Sequence, residues 1–221
     1  MAIIGFLVAA AVFPARAQSS PADSQPSAPG AAIVDRIIAR IEDDVILESE
    51  VRELESYEQL MNGQALPREQ VIQKLIEQWI VKNEATTALY PTPPEEDVQR
   101  VFERVLKRFA SPETFRLKMT AASLDEAAVR RLLAEQIYLA RFLDYKFRPA
   151  AQIEEQKIQD YYDKELAPQL KAKGEAVPPL DEVAEQIREV LTQQEISQRA
   201  AQWLDETKAR LRIDLLPGGR S

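Results

Sequence analysis

Two strand-like segments near the start of the chain and one near its end constrain the fold most strongly. Residues 34–51 hold a β-branched run, an acidic turn and a second β-branched run, a pattern that predicts a β-hairpin followed by a helix with Ser49 at its N-cap. An isolated hairpin is only marginally stable in water, so it needs a third strand or a helix as a partner. Residues 211–216 alternate apolar and charged side chains before Pro217, which is typical of a half-buried strand. The sequence therefore predicts a small sheet in which this C-terminal strand joins the N-terminal hairpin.

The first half of the chain after the hairpin is predicted to form five helices. Apolar residues recur there at every third or fourth position, the spacing of helices that bury one face. Asn62-Gly63 is a typical C-cap pair for the first helix, and Ser123 with Glu126 has the spacing of a capping box. In order, the predicted helices cover Ser49 to Met61, a stretch that starts at Pro67, a stretch through Val98 to Phe109, a short stretch after Ser111, and a long stretch from Ser123 to Phe147.

The chain changes character after Arg148-Pro149, which closes this helical run. The last of the three segments that follow is long enough, at about 1.5 Å per residue, to carry the chain back to the hairpin. Its apolar stripe thins at Gln193-Gln194, so its two halves either face different neighbours or the helix bends. The three segments are a charged helix over 153–165 with Tyr161 and Tyr162, a proline-rich loop from Pro168 to Pro179, and a helix from Leu180 to about Arg210.

Composition excludes several kinds of chemistry. The 221 residues contain no cysteine and no histidine, so thiol and imidazole catalysis is excluded and a zinc site lacks its usual ligands. The six glycines form no phosphate-binding loop, and no serine lies in a nucleophile elbow. The formal net charge of −8 disfavours nucleic-acid binding, because that affinity depends on cations. We therefore predict no catalytic residue, no metal site and no cofactor.

Two groups of charged residues have both a functional and a structural interpretation. Adjacent carboxylates such as Asp43-Asp44 suggest acid–base catalysis or calcium binding, but a turn or a solvated surface explains them better. Four cations on one side of the third helix suggest a basic docking stripe, yet acidic residues lie beside them, so a solvated helix face is the favoured interpretation. The four cations are Arg100, Arg104, Lys107 and Arg108.

The N-terminus has the features of a secretory signal peptide. An apolar run spans Ile3 to Phe13, and Ala15-Arg16-Ala17 supplies the small residues that signal peptidase accepts. We therefore predict a signal peptide at 1–17 with cleavage after Ala17, and a periplasmic location. Because no lysine or arginine precedes the apolar run, an uncleaved anchor stays open as the alternative. Residues 18–32, rich in serine, proline and alanine, are predicted to form a flexible linker.

Taken in order, these segments resemble the chaperone domain of SurA-type periplasmic proteins and, more distantly, the substrate-holding domain of trigger factor. The resemblance covers about residues 33–216. It implies a mainly helical, multi-helix chaperone domain in which a small sheet joins an N-terminal hairpin to a C-terminal strand. The implied parts are 33–148 and 181–216, connected by 149–180 and followed by a tail, 217–221. The residues that carry the resemblance are Val34-Asp35-Arg36-Ile37, Val45 to Val51, Tyr161-Tyr162 and Arg212-Ile213-Asp214-Leu215.

Members of that family often carry a parvulin-type prolyl isomerase domain in the connecting segment. Here Tyr162 and Leu180 are separated by residues 163–179 alone, which are too few for a domain. By the same resemblance, parvulin sites use histidines, and this chain has none. We therefore carry over no isomerase activity and predict that the protein is not an enzyme.

The resemblance implies an ATP-independent holdase for unfolded, nascent or outer-membrane-bound envelope polypeptides. It implies no nucleic-acid partner and no stable membrane insertion after signal cleavage, and it leaves a homodimer open. A dedicated assembly factor or scaffold with one envelope partner is the alternative. Trp79 and Trp203 are assigned to the core. Seven residues are candidates for client binding, although for each of them a core position is the favoured alternative: Tyr57, Leu60, Met61, Phe102, Phe109, Phe115 and Met119.

Overall fold

The computed structural model describes residues 35–217. The predicted signal peptide (1–17), the predicted linker (18–32) and, apart from Pro217, the predicted tail lie outside the described residues. Within the described part, none of the helices has both the length and the apolar character that crossing a membrane requires.

Three strands from the two ends of the described chain form one antiparallel sheet. Strand β1 (Ile37–Ile41) pairs with β2 (Asp44–Leu47) to form the hairpin. Strand β3 (Ile213–Leu215) pairs with the other edge of β1 and places Asp214 opposite Arg40, which gives the order β2-β1-β3. The prediction that the C-terminal strand joins the N-terminal hairpin is confirmed.

Helices make up most of the remaining described chain, so the predicted mainly helical fold with a small sheet is also confirmed. A 3₁₀ turn (Arg148–Ala150) follows the fifth helix, and a π-helical turn (Tyr162–Leu166) joins the sixth to the seventh. In chain order the helices are α1 (Glu48–Asn62), α2 (Arg68–Thr87), α3 (Glu95–Leu106), α4 (Pro112–Ala121), α5 (Glu126–Phe147), α6 (Glu155–Tyr161), α7 (Ala167–Lys173) and α8 (Leu180–Lys208).

The start of α1 differs from the prediction that Ser49 is its N-cap. Strand β2 runs directly into the helix, so the capping position falls on Leu47, whose side chain has no hydrogen-bond acceptor. Two carboxylates accept the free backbone N–H groups instead. The Leu47 N–H donates to Glu50 Oε2 at 2.7 Å, and the Ser49 N–H donates to Asp35 Oδ1 at 3.2 Å. Carboxylates near a helix N-terminus also interact favourably with the helix dipole.

The start of α5 differs in a similar way, because the predicted capping box at Ser123 does not form. Ser123 has a φ of +57° and belongs to the C-terminal turn of α4, where the Leu124 N–H donates to the Met119 carbonyl at 3.0 Å. The N-cap of α5 is Asp125, whose Oδ1 accepts the Ala128 N–H at 2.7 Å. A left-handed residue that ends one helix cannot also cap the next one.

The predicted proline-rich loop is wrong in its first half, because Pro168 lies in α7. A proline inside a helix lacks an N–H donor and crowds the carbonyl four residues earlier. The π-helical turn directly before α7 hydrogen-bonds the Ala167 N–H to the Tyr162 carbonyl, five residues back, and this wider turn accommodates the ring. The loop begins only at Gly174, where φ is +73°, and the Tyr162 hydroxyl fixes it by donating to the Pro178 carbonyl at 2.8 Å.

One large apolar core connects the sheet with α1 to α5, and a smaller one lies between α2 and α5. Trp203 and Leu204 of α8 pack against both, which confirms that the last helix returns to the strands and the first helices. Trp79 also packs against the larger core but is partly exposed, and its indole N–H donates to Asp44 Oδ2 at 2.9 Å.

The two halves of α8 face different neighbours, which confirms one of the two predicted arrangements. In the first half, the Arg188 guanidinium pairs with Glu155 of α6 at 2.6 Å. In the last turn, Lys208 pairs with Glu77 of α2 at 3.1 Å. Near the middle of the helix, Arg148 joins α8 to the end of α5 by pairing with Glu189 at 2.8 Å.

This Arg148 network predicts a pH-dependent part of the stability. Hydrogen bonds from Arg148 and then from Gln193 lower the pKa of Glu189 from its ordinary value of 4.5 to about 2, and hydrogen bonding to Arg148 also lowers the pKa of Asp144. A lowered carboxyl pKa stabilises the folded protein above the ordinary pKa, and this stabilisation is lost as pH falls toward the folded-state value. We expect Arg148→Gln to lower the thermal midpoint at neutral pH by a small amount, because these groups are largely exposed.

The measurement is the difference in midpoint between the original chain and Arg148→Gln as a function of pH. We expect this difference to shrink between about pH 4.5 and pH 2. A difference that stays constant over that range contradicts the assignment.

A buried carboxylate on α1 predicts a larger effect. The Glu58 side chain is 4% exposed, pairs with the Lys74 ammonium of α2 and accepts a hydrogen bond from the Asn62 amide at 2.6 Å. Lys74→Met leaves this carboxylate without its cation, so we expect urea denaturation to show a loss of about 1–2 kcal/mol. Lys157→Met removes an exposed lysine from α6 and is expected to change the free energy of unfolding by less than about 0.5 kcal/mol. Equal effects of the two substitutions contradict a role for the Glu58–Lys74 pair.

Candidate polypeptide-binding site

The seven candidate client-binding residues lie in three neighbouring elements. The Phe115 ring contacts two others edge to face, with ring centroids 5.7 Å from Phe102 and 5.0 Å from Phe109. Phe109 lies three residues beyond the end of α3 rather than within it. The structure thus brings the three phenylalanines together. By element, Tyr57, Leu60 and Met61 lie on α1, Phe102 and Phe109 lie on or just after α3, and Phe115 and Met119 lie on α4.

Most of these residues are buried in the described conformation. Met61 and Phe109 are half-buried at the edge of the core. The core position that the sequence analysis favoured is therefore what the structure shows for the other five, while their role in client binding stays a prediction. The buried residues are Tyr57, Leu60, Phe102, Phe115 and Met119.

Tyr57 connects α1 to α5 and is placed for a structural role. Its hydroxyl donates to Gln136 Oε1 at 3.0 Å. Burial, followed by the nearby Glu58 charge, raises the pKa of Tyr57 above its ordinary value of 10.0. The phenol therefore stays protonated at physiological pH and acts as a hydrogen-bond donor.

A shallow cleft separates the end of α1 from α4. Gly63 ends α1 with a φ of +73°, and its N–H donates to the Gln59 carbonyl at 2.9 Å, which confirms the predicted Asn62-Gly63 cap. Small residues on both sides leave the cleft open, with a volume of about 290 Å³. We call it the α1–α4 cleft. Its lining residues are Gln59, Leu60, Gly63, Lys118, Ala121 and Ala122.

Helix α4, which forms one wall of this cleft, is attached through a narrow apolar face. Phe115 and Met119, four residues apart, point into the core and are 1% and 9% exposed. Leu117 points the other way and is 73% exposed. The helix begins in a regular manner, because the Ser111 hydroxyl accepts the Thr114 N–H at 3.1 Å and Pro112 follows the cap. A ten-residue helix is too short to be stable alone in water, so these two apolar side chains hold it in place.

Cations border the half-buried part of the site. The Lys118 ammonium lies 5.6 Å from the centre of the Phe109 ring, within the range of a cation–π contact. The Arg108 guanidinium donates to the Met61 carbonyl at 3.0 Å. Met61 and Phe109 are therefore apolar groups at a charged, solvent-accessible edge.

Some site residues were missed by the sequence analysis. Lys118, Ala121 and Ala122 line the α1–α4 cleft, but small residues and a lysine on a short helix carry no functional signal by themselves. Leu117 could have been recognised, because it falls midway between Phe115 and Met119 and so lies on the opposite face of the helix. Among residues 35–217, no group of three or more acidic side chains is placed to hold a metal ion.

Comparison with known proteins gave no relative. A scan of protein-family models and a search of curated proteins found no match for this chain.

Proposed function

We propose that this protein is an ATP-independent periplasmic holdase that binds unfolded or outer-membrane-bound polypeptides and does not isomerise prolyl bonds. The observation that carries the proposal is the apolar site beneath α4, a short helix held by the buried side chains of Phe115 and Met119. The sheet that joins the two ends of the described chain also supports it, since the resemblance to SurA-type chaperone domains implies that arrangement.

In this proposal, α4 covers the binding surface and is displaced by the client. Displacement exposes Phe102, Phe109 and Phe115, together with Met61 and Met119, and such large apolar surface binds unfolded chains by removing apolar area from water. Methionine side chains adapt to differently shaped partners. Covering the surface in the free protein limits self-association, because large exposed apolar patches promote it.

The rest of the fold provides a stable frame for this movement. Helix α1 is fixed by the sheet at its start and by the hydrogen bond from Tyr57 to Gln136 of α5. Helix α4 makes no comparable polar connection to α1 or α5 among the described residues. Displacement of α4 therefore breaks apolar contacts that a client's apolar side chains replace, so the cycle needs no nucleotide.

An aggregation assay tests the proposal. An unfolded outer-membrane protein and two unrelated unfolded proteins are diluted into buffer with the exported chain and without nucleotide, and light scattering is recorded. We expect suppression of aggregation for all three clients at near-stoichiometric ratios. Phe109→Gln, at the edge of the site, is expected to weaken suppression, whereas Leu89→Gln, which removes an 89% exposed leucine after α2, is expected to leave it unchanged.

Three results contradict the proposal. Absence of suppression for every client excludes a general holdase, and capture of a single envelope protein in that case favours the dedicated assembly factor. Equal suppression by Phe109→Gln and the original chain places client binding elsewhere. A prolyl isomerisation rate above the uncatalysed rate contradicts the absence of enzyme activity.

A further inference from the structure

Three arginines from two helices surround a second cleft, between α3 and α5. Arg100 and Arg104 lie one turn apart on α3, and Arg141 reaches the cleft from α5. Asp97 and Val101 complete the lining, and the volume is about 460 Å³. We call this the arginine cleft.

The carboxylate in the arginine cleft does not neutralise it. Asp97, whose side chain is 12% exposed, is shared by two guanidinium groups. Oδ1 pairs with Arg100, and Oδ2 lies 2.6 Å from Arg141 Nη2. Among the described residues, Arg104 forms no ion pair or hydrogen bond through its side chain. Three cations against one carboxylate leave two positive charges uncompensated, on a chain whose net charge is −8.

The acidic residues beside these arginines are directed elsewhere. Glu95 lies 3.7 Å from Arg130, and Glu103 accepts a hydrogen bond from Gln99 at 2.7 Å. Glu96 is outside the cleft lining. The solvated-face interpretation of the basic stripe depended on neutralisation by these neighbours, and the contacts do not support it for Arg100 and Arg104.

The stripe of the sequence analysis is also divided by the structure. Lys107 and Arg108 do not line the arginine cleft, and Arg108 is engaged with the Met61 carbonyl. Arg141, which is distant in sequence, takes their place. The cleft is therefore a product of α3 packing on α5 and cannot be recognised from α3 alone.

We propose that the arginine cleft binds an acidic, extended segment of a partner polypeptide. Guanidinium groups bind carboxylates through paired N–H donors, and each arginine retains donors beyond those that it gives to Asp97. Arg100 and Arg104 are about 5–6 Å apart along α3, close to the spacing of about 6.6 Å between alternate residues of an extended chain. Alternating carboxylates therefore match the two arginines, and the half-buried Val101 offers an apolar floor for the intervening residue.

Binding of a labelled short peptide with glutamate at alternate positions tests this proposal by fluorescence anisotropy, with a peptide carrying glutamine at those positions as its match. We expect the glutamate peptide to bind and the glutamine peptide to bind at least tenfold more weakly. Arg104→Gln combined with Arg141→Gln is expected to lower the affinity about tenfold, because two charged contacts are lost. Added salt is expected to weaken binding, since the contacts are solvent-exposed.

The control is Lys171→Gln combined with Lys173→Gln, which removes two exposed cations from α7 and is expected to preserve the affinity. Equal binding of the two peptides overturns the proposal, as does an equal loss in the control variant. Failure of the peptide to bind while inorganic phosphate or anionic lipid vesicles bind also overturns it, in favour of a phosphate site. Circular dichroism verifies that both double variants are folded. A short peptide without apolar residues tests this cleft independently of holdase activity.

Discussion

Phe115→Ala is expected to lower the free energy of unfolding by about 3–5 kcal/mol, the range typical for truncation of a buried phenylalanine. Phe115 is 1% exposed and contacts the rings of Phe102 and Phe109 edge to face. Its removal deletes apolar contacts and leaves a cavity between α4 and the core. Because Met119 alone then holds the helix, we also expect stronger binding of a hydrophobic dye before global unfolding begins. Urea denaturation and dye fluorescence measure the two effects.

Leu117→Ala is the matched control, because it lies on the same helix but faces solvent. Leucine and alanine are both good helix formers, so the intrinsic stability of α4 is nearly preserved. We expect a change below about 0.5 kcal/mol and unchanged dye binding. Similar losses for the two substitutions contradict the assignment of the Phe115 face as the attachment of α4.

Asp214→Pro is expected to cost about 3 kcal/mol, because it disrupts the closure of the sheet. The Glu42 N–H donates to the Arg212 carbonyl at 3.0 Å, and the Leu216 N–H donates to the Ile38 carbonyl at 2.9 Å. In an antiparallel ladder, hydrogen-bonded pairs alternate, so Asp214, midway between these bonds, directs its N–H toward β1. Proline removes this donor and introduces a ring at the strand junction.

Asp214→Ala retains the backbone donor and replaces an exposed side chain, so we expect a change below about 0.5 kcal/mol. Urea denaturation monitored by tryptophan fluorescence compares the two variants. If proline at this position is as well tolerated as alanine, β3 does not contribute to stability in the way that the sheet order implies.

The sequence predicted the sheet well because its signals are local and strong. Alternation in 211–216 and two β-branched runs around an acidic turn specify strands with a buried face. Joining them required only that an isolated hairpin needs a partner. Helix periodicity was similarly informative, since the inward residues of α2 and α5 recur at every third or fourth position.

Helix ends were predicted less well because several residues compete for the same backbone groups. Ser49 and Ser123 both have good capping chemistry, but carboxylates on Glu50, Asp35 and Asp125 accept the N–H groups instead. Pro168 was assigned to a loop because proline usually breaks helices, and a π-helical turn is not encoded in any simple pattern.

The candidate sites show the limit of arguments from one helix at a time. Periodicity identified Phe115 and Met119 as apolar, yet it gave no indication that these two side chains alone attach α4. The arginine cleft depends on the approach of Arg141, forty-one residues after Arg100 in sequence, so no local pattern could reveal it. Both features follow from the packing of helices against each other.

Immobilising α4 tests the central claim most directly. The natural chain has no cysteine, so Gln59→Cys and Lys118→Cys provide a unique pair on opposite walls of the α1–α4 cleft, which a short bis-maleimide can join. The same variant treated with a monofunctional maleimide is the control. We predict that the joined protein remains folded but no longer suppresses aggregation of an unfolded outer-membrane protein, while the control still does. Equal suppression by the joined and control proteins would show that clients bind without displacement of α4, which contradicts the account.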